Sequence, residues 1–319
     1  MDFKQIEAAA QIINEGGLVA FPTETVYGLG ANALNPIAVA KIFALKERPT
    51  FDPLIVHIGS LDDLNLLTSQ PTDLVLKLAK KFWPGPLTIV LPKSSIVPDL
   101  VTSGLPTVGI RMPDNEIALQ LIRTSKCPIA APSANKFGNL SPVSASHVRK
   151  QLPNVDYILD GGKTTIGIES TIISLDGNTC TLLRPGKISL NDIEDAYPGV
   201  FVFKANNSEA LIAPGLLKSH YSPTKPLYFW TNNDIQLPAS SGLIVHSKKE
   251  LKTDDVKVIY TSETNNYLEI AANLFSSLHT MEDDIDVKQI FIEPVAEDGL
   301  GIAIMDRIKK AVYKYETTH

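Results

Sequence analysis

The stretch IEAAAQIINEGGLVAF at residues 6–21 decides the fold class of the chain. Its apolar residues recur every three or four positions up to Ile13, which predicts an amphipathic helix, and Gly16-Gly17 ends that helix. The apolar run at 18–21 then predicts a buried strand. A helix that leads directly into a buried strand is the repeating unit of α/β folds.

This alternation continues to about residue 204. Further strands are predicted at 53–58, 86–92, 108–112, 157–160, 171–175, 179–183 and 201–204. Helices are predicted between them at about 36–46, 61–67, 73–82, 115–124, 145–152 and 190–196. Asp176-Gly177 lies between two of the strands and predicts a hairpin, so we expect a mixed sheet rather than a wholly parallel one.

The chain has 319 residues, which exceeds the roughly 100 to 200 residues of a single domain, so two domains are expected. Residues 205–226 contain turn formers and no sustained periodicity, which predicts a linker. Strands and helices alternate again from 227 onward, which predicts a smaller, Rossmann-like βαβ domain. The predicted organisation is a larger α/β domain at 1–204, a linker at 205–226 and the βαβ domain at 227–319.

The composition is that of a globular protein. Apolar residues make up 44% of the chain and charged residues 20%, which excludes collagen, coiled coils and wholesale disorder. No run approaches the ~18 apolar residues of a membrane helix, so we expect a cytoplasmic protein with no membrane association. Cys127 and Cys180 show neither CxxC spacing nor a nearby histidine cluster, so neither a zinc site nor a disulfide framework is predicted.

The acidic excess lies in the C-terminal third of the chain. Through residue 226, 20 basic residues balance 20 acidic ones, whereas from 227 onward there are 9 basic against 15 acidic residues. An acidic domain is a poor electrostatic platform for a phosphate backbone. Tight nucleic-acid binding is therefore not expected.

Two glycine-rich strings resemble nucleotide-binding motifs without meeting their geometry. GLGANA at 28–33 matches the dinucleotide pattern, but six residues separate it from the preceding strand, so a plain turn is the better interpretation. GGKT at 161–164 resembles the end of a phosphate loop, but Tyr157 stands where the first glycine is required. A nicotinamide-dependent oxidoreductase stays an alternative through GLGANA alone.

Four cations adjoin Pro or Gly turns, namely Lys46, Arg48, Arg111 and Arg184. Each of them, taken singly, is more often part of a surface ion pair. Three hydroxyl-rich loops accompany them: PTET at 22–25, PSAN at 132–135 and EST at 169–171. Because strand ends of an open α/β sheet meet at a ligand crevice, the set predicts one pocket for an anionic ligand such as a triphosphate.

The order and spacing of several strings resemble the YrdC-like L-threonylcarbamoyladenylate synthases over about residues 5–200. The strings are PTETVYGLG, KERP with PLIVHI, PGPLT, VGIRMP, APSAN with Ser141-Pro142, ESTII and RPG. HYSP at 220–223, followed by the βαβ tail, resembles the longer two-domain form of that enzyme. The resemblance implies a twisted mixed sheet flanked by helices, with a central cationic pocket.

The resemblance also implies a nucleotidyltransferase that joins L-threonine, bicarbonate or CO2, and ATP into L-threonylcarbamoyl-AMP and pyrophosphate. Mg2+ is expected to enter with ATP, held mainly by the phosphates, since no carboxylate cluster with metal-site spacing occurs in the sequence. The product is expected to pass to a separate transferase complex that forms N6-threonylcarbamoyladenosine at position 37 of tRNA.

Matching the motifs assigns the expected site residues. Lys46 and Arg48 are expected to be catalytic and to face the ATP phosphates. Further ATP contacts are expected from Asp52, Thr107, Ser133, Asn135, Ser141, Arg184 and Tyr221. The threonine site is expected to contain Thr25, His57, Ser170 and Arg111, with Arg111 on the carboxylate. On sequence alone each hydroxyl is equally consistent with a turn or capping bond, and His57 with a core histidine.

Alternatives stay open at two positions and for the function. Asp52 stands where many relatives carry Asn, and an anion beside ATP repels phosphate unless it binds magnesium or points away. His220 and Tyr221 are interpreted as a lid over the pocket mouth, with domain docking as the alternative. A non-catalytic RNA-binding or ribosome-assembly factor is the alternative function, which the charge distribution disfavours.

Overall fold

The computed structural model of the protein describes residues 2–69, 71–205, 213–215, 217, 219–231, 237–249, 251 and 256–316. Strands before residue 206 form a large mixed sheet, and strands after residue 226 form a smaller parallel sheet. The predicted α/β architecture with two sheets is confirmed.

Ten strands of the described residues form the larger sheet. They are β1 (Val19–Phe21), β2 (Gly28–Asn32), β3 (Ile55–His57), β4 (Leu87–Pro92), β5 (Thr107–Arg111), β6 (Ile129–Ala130), β7 (Tyr157–Ile158), β8 (Thr171–Asp176), β9 (Thr179–Arg184) and β10 (Val202–Ala205). Their order is β10-β9-β8-β4-β5-β3-β6-β2-β1-β7. Because β8 and β9 pair antiparallel while β4 and β8 pair parallel, the predicted hairpin and mixed sheet are confirmed.

Helices accompany this sheet, and most begin where the sequence places a capping residue. They are α1 (Phe3–Asn14), α2 (Pro36–Lys46), α3 (Leu64–Leu67), α4 (Asp73–Phe82), α5 (Asp99–Thr102), α6 (Glu116–Ser125), α7 (Ala145–Gln151) and α8 (Leu190–Ala196). Asn35 caps α2, Thr72 caps α4 and Ser144 caps α7 through side-chain oxygens. The apolar face of α1 is buried against α6 and β1, which explains the periodicity ending at Ile13.

Four strands of the C-terminal part form the parallel sheet. They are β11 (Leu227–Phe229), β12 (Ser241–Val245), β13 (Lys257–Tyr260) and β14 (Gln289–Ile292), in the order β11-β14-β12-β13. Two helices, α9 (Tyr267–Asp283) and α10 (Gly301–Glu316), pack on it. Their apolar faces share one core cluster with Val26, Leu140 and Ile168 of the N-terminal part, so the two parts are joined by buried apolar contacts.

The predicted domain boundaries stay predictions. β10 ends at Ala205 and β11 begins at Leu227, but 206–212, 216 and 218 of the predicted linker lie outside the described residues. The described end of that segment contacts both parts of the chain. Ser222 N donates to Gly138 O at 2.9 Å, and Ser222 Oγ donates to Ala311 O of α10 at 3.1 Å.

The prediction of a plain turn at GLGANA is wrong, because residues 28–32 form strand β2. β2 pairs antiparallel with β1, with Gly30 opposite Val19. An added Cβ at Gly30 would lie 2.7 Å from both Ile129 Cγ2 and Phe21 Cε1, so packing, not a ligand, requires glycine there. The strand-to-helix turn of a dinucleotide site is therefore not formed by these residues, and the oxidoreductase alternative loses its support.

The short elements β6 and α5 were also missed, because two to four residues are too few to show a period. None of the helices in the described ranges is long and apolar enough to cross a bilayer.

Gly30→Ala is expected to destabilise the protein by roughly 1–3 kcal/mol, because the added methyl overpacks β2 against Ile129 and Phe21. Urea unfolding of the purified variant measures the loss. Gly109→Ala in β5 is the matched control, since the nearest atom to its added Cβ, Thr88 Cγ2, is 3.3 Å away, so the substitution should cost less. An equal loss in both variants would contradict the packing explanation.

Candidate active site

A cavity lies where several strands of the larger sheet end, lined by polar and charged side chains from several loops. Many of the predicted site residues line it, namely Thr25, Arg48, His57, Arg111, Ser133, Ser170, Arg184 and Tyr221. The remaining predicted residues lie behind or beside its wall, namely Lys46, Asp52, Thr107, Asn135 and Ser141. Arg48, Arg111 and Arg184 therefore line the same cavity.

Arg48 enters the cavity just after α2 ends. Glu47 adopts a left-handed conformation with a φ of 56° and ends the helix. Arg48 Nη2 lies 2.9 Å from Asp52 Oδ2, and Arg48 Nε donates to Asp52 O at 3.1 Å. Burial raises the pKa of Asp52, although the charges of Arg48 and Lys46 oppose that shift. The Asp52 carboxylate therefore lies against Arg48 and is not part of the cavity lining.

Lys46 lies behind the cavity wall. Its Nζ donates to the carbonyl oxygen of Ser133 at 2.6 Å and to that of Asn135. Burial, with the charge of Arg48 adding to it, lowers the pKa of Lys46 well below its ordinary value. Asn135 Nδ2 in turn donates to Asn139 O at 2.9 Å. Lys46 and Asn135 thereby hold the PSAN loop so that Ser133 lines the cavity.

Arg111 lies among the residues predicted to bind threonine. At the end of β5 it donates to Thr25 Oγ1 at 3.0 Å, and its Nη2 lies 2.6 Å from Glu24 Oε1. His57 is opposite Arg111 in the parallel pair of β3 and β5. Glu24 Oε2 is buried and has no hydrogen-bond partner within the described ranges. Glu24 lies inside the PTET string, but the motif gave no reason to assign it a role.

His57 is both a core residue and a cavity residue. Burial, followed by the charge of Arg111, lowers the pKa of His57 to about 3. Its imidazole is therefore neutral near pH 7. Nδ1 of His57 has no hydrogen-bond partner in the part of the chain that the structure describes. A neutral hydrogen-bonding ring thus lies beside the Arg111 cation.

Arg184 connects the EST loop to the linker. Its Nε donates to Ser170 O and its Nη2 to Ser170 Oγ, both at 3.1 Å. Ser170 Oγ also lies 2.8 Å from Thr88 Oγ1 of β4. Arg184 Nη1 donates to Pro214 O at 3.2 Å, and Pro214 lines the cavity. Burial lowers the pKa of Arg184.

Glu169, the first residue of EST, connects the site to the C-terminal part. Its carboxylate accepts a hydrogen bond from Ser141 Oγ and forms an ion pair with Arg307 Nε of α10 at 2.8 Å. Burial acts to raise the pKa of Glu169, but Arg307 and Arg184 outweigh burial and lower it. Glu169 was visible in a quoted motif, whereas nothing in the α10 pattern marked Arg307.

Thr107 lines a second, smaller cavity. That cavity shares Pro53, Ile55 and Pro214 with the first, so the two are neighbours. The role of Thr107 in ATP binding stays a prediction.

His220 and Tyr221 line the cavity and also contact the C-terminal part. Tyr221 is 1% exposed, and its ring lies 5.6 Å from the Phe275 ring of α9. The Tyr221 hydroxyl has no hydrogen-bond partner among the described residues. His220 N donates to Lys310 O of α10 at 3.2 Å. The segment therefore lines the pocket and also docks the C-terminal part, and its role as a moving lid stays a prediction.

Comparison with known proteins gives the family. A Sua5, YciO and YrdC family model described as "Telomere recombination" matches residues 11–186, and a model described as the C-terminal domain of threonylcarbamoyl-AMP synthase matches residues 188–312. The chain is 45% identical over 321 residues to the threonylcarbamoyl-AMP synthase of Pyrococcus abyssi, covering 96% of this chain and 94% of the relative. The chain belongs to the Sua5/YrdC family of threonylcarbamoyl-AMP synthases.

Other Sua5/YrdC proteins agree with this assignment. The threonylcarbamoyl-AMP synthase of Bacillus subtilis is 42% identical over 324 residues, which cover 96% of this chain and 92% of the relative. The crystal structure of P. abyssi Sua5 complexed with L-threonine matches with a TM-score of 0.87 and 41% identity, over 99% of this chain and 96% of that chain. The predicted family, fold and transferase class are confirmed, and the roles of individual site residues stay predictions.

His57→Asn is expected to reduce the acid sensitivity of the fold. The pKa of His57 is about 3 in the folded protein against 6.5 ordinarily, so the unfolded chain binds the extra proton between these values. The contribution of neutral His57 to the free energy of unfolding is therefore fully present above pH 6.5. It falls by about 1.4 kcal/mol per pH unit as the pH is lowered toward 3. The stability difference between wild type and variant should shrink by about 2 kcal/mol from pH 7 to pH 5 in urea unfolding. A difference that is independent of pH would contradict the assignment.

Proposed function

We propose that the chain synthesises L-threonylcarbamoyl-AMP and pyrophosphate from L-threonine, bicarbonate or CO2, and ATP. The observation that carries the proposal is that Arg48, Arg111 and Arg184 line one buried cavity. Buried cations that share a cavity favour an anionic ligand. The complex of P. abyssi Sua5 with L-threonine supports threonine as one of the ligands.

Two groups of side chains offer different chemistry to the ligands. Arg111, Thr25 and His57 combine a cation, a hydroxyl and a neutral imidazole, which suits an amino acid with its carboxylate on Arg111. Arg48 and Arg184 form the second group. Burial lowers the pKa of Arg48 and the charge of nearby Arg184 adds to the shift, so an anion between them is favoured. We assign the phosphates of ATP to this second group.

The proposed reaction needs positioning more than covalent help from the protein. The uncharged amine of threonine adds to CO2 with loss of a proton, and an oxygen of the resulting carbamate attacks the α-phosphorus while pyrophosphate leaves. The arginines hold the two anions together, and neutral His57 bonds to the amino acid without repelling Arg111. The enclosed cavity limits access of water to the labile anhydride.

Mg2+ is proposed to arrive with ATP. Three buried carboxylates at or near the cavity are already paired with arginines: Asp52 with Arg48, Glu24 with Arg111 and Glu169 with Arg307. Phosphate oxygens are therefore the better ligands, as is usual for magnesium nucleotides. When bound, Mg2+ neutralises charge on the departing pyrophosphate.

The RNA-binding alternative receives no support from the site. Arg48, Arg111 and Arg184 are each at most 7% exposed, whereas a nucleic-acid backbone is bound by cations at the surface. We propose instead that the product passes to a separate transferase complex that forms N6-threonylcarbamoyladenosine at position 37 of tRNA.

The deciding experiment is pyrophosphate release from magnesium ATP with and without L-threonine and bicarbonate, followed by mass detection of the adenylate. Release is expected only when both are present, and no RNA should be needed. Release that ignores threonine would contradict the substrate assignment. Tight, steeply salt-dependent binding of tRNA in place of turnover would support the alternative function.

Arg111→Lys is expected to raise the KM for L-threonine by about 10-fold or more, because lysine keeps the charge beside Glu24 but lacks the fork that holds a carboxylate. The KM for ATP should change little. Arg149→Lys is the matched control, since Arg149 is an exposed arginine of α7 paired with Asp160. Equal rises in both KM values would contradict the separate amino-acid group.

Tyr221→Phe is expected to raise the KM for ATP by about 2- to 10-fold, because it removes a buried hydroxyl that is free to bond the nucleotide. Phenylalanine keeps the ring that packs on Phe275, so the unfolding temperature should stay near that of wild type. Tyr228→Phe in β11 is the control for loss of a tyrosine hydroxyl outside the cavity. An unchanged KM for ATP would remove the Tyr221 hydroxyl from the site.

A further inference from the structure

A fully buried cation lies just outside the cavity wall. The Arg307 side chain is 0% exposed, although α10 belongs to the acidic C-terminal part. Its Nε pairs with Glu169 Oε2 at 2.8 Å, its Nη2 donates to Glu169 O at 3.4 Å, and its Nη1 pairs with Asp306 Oδ2 at 2.6 Å. Removing an arginine from water is costly, and hydrophobic residues often replace a buried ion pair without loss of stability. Stability alone therefore does not explain why the Arg307–Glu169 ion pair is buried.

The Arg307 contacts lead directly to groups of the site. Glu169, held by two nitrogens of Arg307, also accepts a hydrogen bond from Ser141 Oγ. The next residue, Ser170, lines the cavity and is bound twice by Arg184. The position of the EST loop is thus determined from one side by Arg184 and from the other by Arg307.

Arg307 also lies against the second segment that closes the cavity. Its guanidinium carbon is 5.4 Å from the centre of the Tyr221 ring, which is a cation–π distance. Tyr221 has a φ of 62°, a left-handed conformation that is uncommon for a bulky residue and requires support from its surroundings.

One turn along α10, Lys310 supports the same segment. Lys310 Nζ donates to Gly215 O at 2.8 Å and pairs with Asp306 at 2.7 Å. Gly215 has a φ of 79°, and a Cβ there would lie 2.7 Å from the Tyr221 hydroxyl oxygen. The same helix therefore contacts both ends of the segment that carries Pro214 and Tyr221.

We propose that Arg307 is a positioning residue through which the C-terminal part holds the EST loop and Tyr221 in place for the nucleotide. The role rests on the proposed function, because that function makes ATP a ligand of this cavity. Arg307 does not line the cavity, so it acts through Glu169 and Tyr221 and not by touching ATP.

The test compares Arg307→Met with Lys150→Met. Lys150 of α7 forms ion pairs with Glu282 and Asp283 of α9, so it also joins the two parts, but it is 43% exposed and does not line the cavity. Arg307→Met is expected to weaken magnesium ATP binding in calorimetry by about 10-fold and to lower kcat by roughly 10- to 100-fold, since small misplacements of binding groups are costly. The KM for L-threonine should rise less than the affinity for ATP falls, since Ser170 is the one predicted threonine residue on the EST loop. Lys150→Met should match wild type in all three values.

The double variant Arg307→Met/Glu169→Gln separates positioning from stability when it is compared with Glu169→Gln alone, because Glu169 itself lines the cavity. Arg307→Met alone leaves a buried unpaired carboxylate and should lower the unfolding temperature. Removing both charges should restore that temperature while ATP binding and kcat stay low. Recovery of ATP binding together with the unfolding temperature would overturn the proposal, as would equal losses in Lys150→Met.

The outcomes also distinguish this proposal from the proposed function. If wild type binds magnesium ATP but releases no pyrophosphate in response to threonine, the proposed reaction fails while the ATP affinities still report on Arg307. If wild type does not bind magnesium ATP, both proposals fail. If wild type turns over but Arg307→Met binds ATP as wild type does, the positioning role fails while the proposed function stands.

Discussion

The structure depends on the removal of several cations from water. Lys46, Arg48, Arg111 and Arg184 are all buried, and an unpaired buried charge costs several kcal/mol. Each therefore takes main-chain carbonyl, hydroxyl or carboxylate partners. The partners of Lys46, Arg111 and Arg184 lie mainly in the hydroxyl-rich loops and the linker, whereas Arg48 is paired with Asp52 and Pro53 just after its own turn. Pairing these cations therefore also orders the loops.

Under the proposed function, this arrangement provides the anion site before any ligand enters. Backbone carbonyls occupy some donors of each guanidinium and fix its plane, while the arginines still line the cavity. Electrostatic stabilisation by groups that need not reorganise is the usual source of large rate effects in transfer reactions. Lys46 has a different role from the arginines. It lies behind the cavity wall and positions Ser133 and Asn135 by donating hydrogen bonds to their carbonyl oxygens.

The net charge of the C-terminal part does not describe the charges in its buried interior. The excess of acidic residues from 227 onward concerns mainly surface groups, and it argues against binding of a phosphate backbone. One arginine of this part is nevertheless buried against the catalytic loops, where a single cation has more influence than a surface patch because the local dielectric is low. The net charge therefore did not indicate that a buried arginine of the C-terminal part pairs with the EST loop.

Local spacing by itself determined the α/β class, the helix caps, the hairpin at Asp176-Gly177 and the clustering of the arginines, because each depends on periodicity, turn chemistry or strand ends. Local spacing predicted the wrong structure at β2. The glycine pattern predicted a turn, whereas the packing of Ile129 and Phe21 across the sheet requires glycine at position 30. Local spacing also gave no sign of the Glu169–Arg307 pair, whose members are 138 residues apart. Contacts between distant segments leave no local period, so only the tertiary structure decided that a C-terminal helix pairs with the EST loop beside the cavity.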